Sequence, residues 1–322
     1  MPPGAVSAGP YAHYDAMLTN LSIAAFAATA EQQGFVAQDI FPIATVPKQS
    51  NKYYVIDPDS WLRVGDTRRA PKDRPNRIEF KLSCDGYFAL NYALAGDIAK
   101  EDLANQDAAV MLRENTAQVA LQGLLQDLEQ RVANLVTSGA NCGSYTAVPS
   151  KWSDLTNSNP LVDITTAHSF IRRNTGLVAN TLVIDEDTFQ TLRRHARLLD
   201  LYKYTSGGIL NDGQIAAAMG VQRLLRGRAV RNLAIENAAA SMQNMWGNNA
   251  LLCYVAPQAT GLMTATFGLQ IRWTPDGIPA PFAVFRYDDP DPGKKVEVVE
   301  SSYYQSEKIV AKSLGYLLTS TL

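Results

Sequence analysis

The chain has 322 residues, 46% apolar and 19% charged, with a formal charge of −2 at pH 7. That supports one or two substantial cores and excludes a disordered or fibrous protein. The charge balance excludes a globally basic nucleic-acid binder, so any attraction to a charged partner must come from a local patch. Cys84, Cys142 and Cys253 lie far apart without a CxxC pair, which argues against a zinc scaffold or a disulfide framework. No run reaches the ~18 consecutive apolar residues of a membrane helix, and the first Lys or Arg is Lys48, so there is no basic leader of the secretory kind.

The chain opens on "MPPGAVSAGP", a turn-rich stretch that needs a partner surface to be ordered. A short helix is predicted from about Asn20 to Gln33, and "DIFPIATVPK" then favours an extended path. Residues 52–64 and 77–94 read as two arms of a long hairpin, the second alternating Ile78, Phe80 and Leu82 against Glu79 and Lys81. Between them "GDTRRAPKDRPNRIEF" offers almost nothing to a core. From Arg63 to Lys81 seven basic residues (Arg63, Arg68, Arg69, Lys72, Arg74, Arg77, Lys81) oppose three acidic ones (Asp66, Asp73, Glu79), a local charge of +4. Pro71 and Pro75 forbid a regular helix there. A loop this long and polar is disordered or is engaged by a neighbour.

A long helix is predicted from Asp97 or Asn105 to Ser138. Leu103, Val110, Ala117, Leu121, Leu124, Leu128, Val132 and Leu135 form one stripe, and Asp127 with Arg131 add an i, i+4 pair. Helices follow near 165–174, 187–199 and 212–219, with a loop at "YKYTSGGIL" (202–210). Strands are predicted near 181–185, 221–231, 250–256, 269–274, 281–287, 296–311 and 315–321, an α+β order.

The three histidines, His13, His168 and His195, occupy a loose terminus and helical positions, and no HExxH, GxSxG or GxxxxGK[ST] motif occurs. "GANCG" (139–143) and "SGGILNDG" (206–213) lack the context of a phosphate cradle. Asp185 with Asp187, and the turn "DDPDPG", read as solvated acids rather than a cation site. Arg193, Arg194, Arg197, Arg223, Arg226, Arg228 and Arg231 pose a nucleic-acid hypothesis. Without interleaved aromatics, pairing with acids is the better account. No catalytic, cofactor-binding or metal-ligating residue is assigned, and no cofactor is expected. A charged hairpin tip, an N-terminal arm and a rod-like helix without an active site describe a subunit that finds its partners in other copies of itself.

In succession, "DIFPIATVPKQSNKYY" (39–54), "RAP" (69–71), "YALAGDIAKEDLANQD" (92–107), "DLEQRVANLV" (127–136), "IAAAMGVQRLLRGRAV" (215–230), "MWGNNALLCYVAP" (245–257) and "SSYYQSEKIVAKSLGYLLTSTL" (301–322) resemble the major capsid protein of tailed bacteriophages, whose fold is shared with herpesvirus capsids. The resemblance implies an α+β fold with an N-terminal arm (1–46), an extended β-hairpin loop (47–95), and a peripheral domain with a long spine helix (96–148). It further implies an axial domain (149–290), long peripheral strands (291–312) and a last axial strand (313–322). The loop residues Arg63, Arg68, Arg69, Lys72, Arg74 and Arg77 would then contact neighbouring subunits, and Tyr202, Lys203, Tyr204, Gly207 and Gly208 would lie at the centre of each capsomer.

The implied function is a structural, non-enzymatic shell protein assembling as pentamers and hexamers into an icosahedral capsid around packaged double-stranded DNA, without sequence-specific binding. It would be assembled in the host bacterial cytoplasm and end in the virion. The implied partners are other copies, a portal, a decoration protein in some relatives, and a separate scaffolding protein, because the arm begins almost at Met1. Some relatives lock subunits with a lysine–asparagine isopeptide bond; Lys52, Lys72 and Lys81 lie in or near the loop, with no asparagine assigned to them. An encapsulin-type nanocompartment is the second reading, and a nucleic-acid-binding enzyme using the arginines the third.

Overall fold

The computed structural model describes residues 13–21, 24, 34–55, 62, 67–69, 71, 74, 83–105, 111–203, 210–235, 238–257, 261–275, 282–291 and 293–322. In chain order the strands are β1 (His13–Tyr14), β2 (Ile43–Val46), β3 (Ser50–Val55), β4 (Ser83–Phe88), β5 (Leu90–Ala99), β6 (Ser144–Ala147), β7 (Thr181–Asp185) and β8 (Arg223–Gly227). They continue as β9 (Val230–Asn232), β10 (Met242–Asn244), β11 (Asn249–Cys253), β12 (Gly268–Trp273), β13 (Ala283–Asp288), β14 (Val296–Ile309) and β15 (Gly315–Thr319). Among the described residues they form two large sheets and two two-stranded ribbons, β3–β4 and β9–β10.

The first sheet is organised around β14. One flank of β14 pairs antiparallel with β5, from Val296 opposite Ala99 to Gln305 opposite Leu90. The other flank is divided between β13 and β12, which β1 and β2 extend. Val299, Ser301, Tyr303 and Gln305, alternate residues in the middle of β14, are buried on one face, and Val298 and Ser302 are buried on the other. The cover of the first face is the long helix Leu112–Val136, whose Leu121, Leu124 and Leu125 meet Phe282 and Tyr303. Its 25 residues span about 38 Å.

The second sheet runs β6-β15-β11-β7-β8. All five residues of β7 are buried, as befits an inner strand with both faces covered. The helix Pro160–Thr175 lays Ile164, Ala167 and Ile171 on this sheet and ends at Gly176, whose φ of 71° is the left-handed stop that glycine supplies.

The two sheets meet at a tight joint. Phe41 and Phe267 are fully buried, edge to face at 6.0 Å. Each ring lies against a glycine: a Cβ on Gly268 would sit 2.4 Å from Phe41, and one on Gly315 2.2 Å from Phe267. The chain crosses from β14 to β15 in the same place, through buried Val310, Ala311 and Leu314.

The structure redraws several expected boundaries. Residues 97–99 belong to β5 rather than to the helix, because their backbone pairs with β14. The segment between the short helix Lys100–Asn105 and Met111 lies outside the described residues. The helix expected at 187–199 is two, Glu186–Leu192 and Ala196–Leu201, with His195 capping the second. The strand expected at 221–231 divides after Gly227, where the Trp246 ring occupies the space a side chain would need. Strands β12 and β13 join the first sheet although the expected axial segment runs to 290; chain order alone does not reveal which sheet a strand enters.

The described parts of the N-terminal segment pack on the chain's own body rather than standing free. β1 pairs β13, Leu18 is buried beside Ile98, Val284 and Val299, and Val36, Ile40, Phe41 and Ala44 enter the main core. Large apolar side chains explain this, since each gains about 1.5–3 kcal/mol on full burial. Residues 16–21 and 24 are helical, and most of the helix expected at 20–33 lies outside the described residues.

Candidate intersubunit surfaces

The hairpin ribbon β3–β4 is fastened at its root and exposed beyond it. Tyr53 and Tyr87 are buried; Tyr53 Oη donates to Asp85 Oδ2 at 3.0 Å, and Tyr87 Oη donates to the Lys48 carbonyl at 3.1 Å. Burial, then the bond to Asp85, pushes the Tyr53 phenol well above its ordinary range. The amide of Gly86, followed by that tyrosine, holds the Asp85 carboxyl below its own range. Outward from this root Ser83 and Cys84 are exposed, and on the body side of it Phe88 and the β5 residues Leu90 and Leu94 are substantially exposed. Of the loop residues expected to touch neighbours, Arg68, Arg69 and Arg74 are exposed, while Arg63, Lys72 and Arg77 lie outside the described residues. Of the expected capsomer-centre loop, Tyr202 is half-buried and donates to the Gln214 carbonyl at 2.8 Å, and Lys203 is exposed; Tyr204, Gly207 and Gly208 lie outside the described residues.

One buried group escaped the sequence reading. Glu129, 1% exposed, accepts the amides of Val36 (3.0 and 3.1 Å) and Ala37 (2.9 Å) and the Trp246 indole N–H (2.7 Å). It staples the N-terminal segment, the long helix and the approach to β11. Burial raises its affinity for a proton, and the three N–H donors oppose that rise. Because every neighbour named here donates, the carboxylate form suits the site. Higher up the helix, Arg131 pairs with Asp127, with Glu307 at 3.0 Å and with the Tyr303 hydroxyl at 3.0 Å, its guanidinium 3.7 Å from the Tyr92 ring centre. Arg272, buried at 3% exposure, gives Nε and Nη2 to Gln305 Oε1 at 3.1 and 2.6 Å, and burial lowers it to about 10.

The buried pair Ser158–His195, 2.8 Å apart, has the wrong polarity for a nucleophile and base. The serine proton goes to the Asp154 carbonyl at 2.6 Å, and His195 Nδ1 accepts from the Arg197 amide at 3.3 Å. Nε2 therefore carries the hydrogen and donates to the serine, so the histidine has no free lone pair to take a proton. The arginine group is also occupied. Arg223 pairs with Asp39 at 2.7 Å, Arg226 with Asp212 at 3.1 Å, Arg193 donates to the Leu210 carbonyl, and Arg231 donates to Gln243. Acid pairing thus accounts for Arg223 and Arg226, while Arg193 and Arg231 are held by neutral acceptors. Among the described residues no group of three or more His, Cys, Asp or Glu is placed to hold a metal ion.

Asp185, buried at the end of β7, takes the Asp187 amide and the Asn244 side-chain amide on Oδ2, while Oδ1 has no partner. Burial pushes its carboxyl up to about 6. The folded protein thus binds this proton more tightly than the unfolded chain, whose group titrates near 3.8. The contribution is full below that pH and is lost as pH rises through about 6. Urea midpoints followed across this window are expected to fall with rising pH, by up to about 1.4 kcal/mol per pH unit from this group. Asp185→Asn should reduce the slope of that segment of the curve, with Glu129 left to contribute in the same direction; an unchanged curve would remove Asp185 as its source.

Sequence relatives agree with this structural character. The chain is 26% identical to a major capsid protein of Pseudomonas phage JBD67 over 302 residues, covering 89% of this chain and 92% of that one. It is 25% identical to a major capsid protein of Burkholderia phage BcepMu over 320 residues, covering 95% of each. No family model matches the chain. In fold it superposes on a phage-related protein from Bordetella bronchiseptica RB50 with a TM-score of 0.74 at 19% identity, over 96% of this chain and 97% of that one. An encapsulin complex from Synechococcus elongatus gives 0.52 at 11% identity, over 88% and 89%. Over about nine-tenths of its length, and on the α+β fold described above, the chain is thus similar to the major capsid proteins of two bacteriophages.

Proposed function

We propose that copies of this chain assemble as pentamers and hexamers into an icosahedral shell that encloses packaged double-stranded DNA. The observation that carries the reading is the sequence likeness to two phage capsid proteins over about nine-tenths of the chain. The hairpin supports it: the root is fixed by Tyr53 and Tyr87, and the +4 segment between its arms offers almost nothing to a core of its own. In this reading residues 1–46 form the arm, 47–95 the extended loop laid on an adjacent subunit, 96–148 with 291–312 the peripheral domain, and 149–290 with 313–322 the axial domain, except that β12 and β13 pair with β14 and go with the peripheral sheet. Tyr202 to Gly208 lie near the capsomer centre. The acid-paired arginines suit a wall that encloses DNA without gripping its phosphates.

Assembly in the host cytoplasm with a separate scaffolding protein and a portal, a decoration protein on the finished virion, and no catalytic role complete the proposal. The encapsulin-type shell is the second reading, supported by fold likeness alone. Negative-stain electron microscopy with sedimentation of the purified protein tests both. Closed particles are expected. Particles filled with a protein cargo would move the reading to the nanocompartment, and a lasting monomer would overturn both.

Deleting Asp66–Asn76 separates folding from assembly. Thr67, Arg68, Arg69, Pro71 and Arg74 are all exposed, so the shortened chain is expected to keep its thermal midpoint within about 3 °C while failing to sediment as particles. Normal particles from the shortened chain would remove the loop from the interface.

A further inference from the structure

The face of the first sheet turned away from the long helix carries a small cavity. On β14 that face is made by Glu300, Ser302 and Tyr304, which alternate with the residues that meet the helix. The registers set three rows across the sheet: Tyr304 opposite Trp273, Ser302 opposite Ala283, and Glu300 opposite Phe285. Rows on one face stand two residues apart, about 7 Å. The middle row has small side chains and the rows on either side have large ones, so a depression of about 110 Å³ remains between them, lined by all six. Its floor, Ser302 and Ala283, is buried. Its walls are held in place: Trp273 and Tyr304 lie edge to face at 5.0 Å, and Phe285 lies edge to face with Tyr14 at 6.2 Å.

Three aromatic rings and one carboxylate decide what such a cavity takes. The ring faces carry negative charge density and attract a cation within about 6 Å. Glu300 Oε2 accepts the Tyr287 hydroxyl at 3.1 Å, and among the described residues no cation pairs with Glu300. Asp97, opposite Val298 and one row further along the same face, adds to the negative field. A phosphate or a carboxylate is repelled here. A guanidinium or an ammonium group is attracted both by the charge and by the rings. The volume takes the head group of one arginine or lysine side chain.

The chain carries its own source of that head group, the run from Arg63 to Lys81 with its charge of +4. Both flanks of the run lead away from the cavity of the same copy. β5 passes the cavity at Asn91, opposite Tyr304. The hairpin departs from there along the far half of β14, where the Tyr53 hydroxyl donates to the Ile309 carbonyl at 3.4 Å. At about 3.3 Å per residue, Ser83 at the outer end of β4 stands about 26 Å beyond Asn91. On the other flank Leu62, which immediately precedes the run, lies against the second sheet's helix Pro160–Thr175, where a Cβ on Gly176 would be 3.3 Å from it. A run led away from its own cavity on both sides is placed to serve another copy.

We propose that an arginine or lysine of the 63–81 run of one copy seats its cationic head between Trp273, Tyr304 and Phe285 of a second copy, beside Glu300. The contact deepens the shell reading and rests on it, by naming the surface that receives the extended loop. Charge complementarity selects the occupant: the cavity is acidic and aromatic, and the run is the basic segment which that reading already lays on a neighbour.

Photo-cross-linking in particles assembled from an equal mixture of unlabelled and heavy-isotope-labelled chains tests it. With p-benzoylphenylalanine in place of Asn91, at the cavity's edge, irradiation is expected to give covalent dimers whose joined peptides pair position 91 with the 63–81 run, about half of them joining an unlabelled to a labelled chain. Glu300→Gln, which leaves an acceptor for Tyr287, should raise the protein concentration needed for assembly by about tenfold at an unchanged urea midpoint. Particles that give no covalent dimer, joined peptides that map only elsewhere, or joined peptides confined to one chain overturn this contact alone, as does normal assembly of Glu300→Gln. A wild-type chain that never assembles overturns the shell reading and the contact with it.

Discussion

Replacing Glu129 with alanine is expected to cost about 4 kcal/mol or more of folding stability, among the largest effects of any single substitution here. Three N–H groups, from Val36, Ala37 and Trp246, converge on one carboxylate that is 1% exposed. Removing it strands three donors where water does not reach, each at about 1–3 kcal/mol, and opens a cavity between the long helix and the start of β2. Glu129→Gln keeps one acceptor oxygen but turns an amide toward two of the donors, so about 1–2 kcal/mol is expected. Trp246→Phe removes a single donor and should cost less than the alanine variant. Urea unfolding of the three proteins checks the ranking. A loss under about 1 kcal/mol for Glu129→Ala would mean that solvent replaces the carboxylate and that the staple adds nothing.

Gly315→Val is the second large effect, about 3 kcal/mol or more. A Cβ at this position would stand 2.2 Å from the Phe267 ring, so the ring must move. It has nowhere to go: Phe267 is fully buried against Phe41, and Phe41 rests on Gly268, where a Cβ would be 2.4 Å away. The strain is transmitted through close-packed rings rather than relieved locally. The thermal midpoint should drop by several degrees, and Phe267→Leu added to the milder Gly315→Ala should recover part of the loss. Full additivity of those two substitutions would show that the ring and the glycine do not interact.

The elements that the sequence showed most clearly are those where one physical signal acts alone. Leu121, Leu124, Leu128 and Val132 keep helical spacing because a single face of that helix is covered, and all four are buried. Strand β14 was visible because its valines and tyrosines are β-formers over 14 residues. The start of the helix was misplaced because "GDIA" has no strand preference of its own; only pairing with Val296–Val299 makes it a strand. Glu129 was overlooked although Leu125, Glu129, Ala133 and Val136 continue the buried stripe, and an acid within such a stripe is a signal that it has partners. The free-arm reading failed in part because burial of Val36, Ile40 and Phe41 depends on residues more than 90 positions away, such as Glu129, which no local pattern reports. The exposed charged run from Arg63 to Lys81 was legible as what a core would reject, whereas the exposed apolar side chains of Leu233 and Ile235 carried no such signal.

Both sheets receive an inner strand late in translation. β14 separates β5 from β13 and β12, and β15 lies between β6 and β11. The first sheet cannot close before residue 309 has been made, nor the second before residue 319. Such long-range pairing slows folding relative to local contacts and forbids a half-made subunit from presenting a finished surface. A truncated translation product therefore lacks the inner strand of at least one sheet and cannot take up the native architecture.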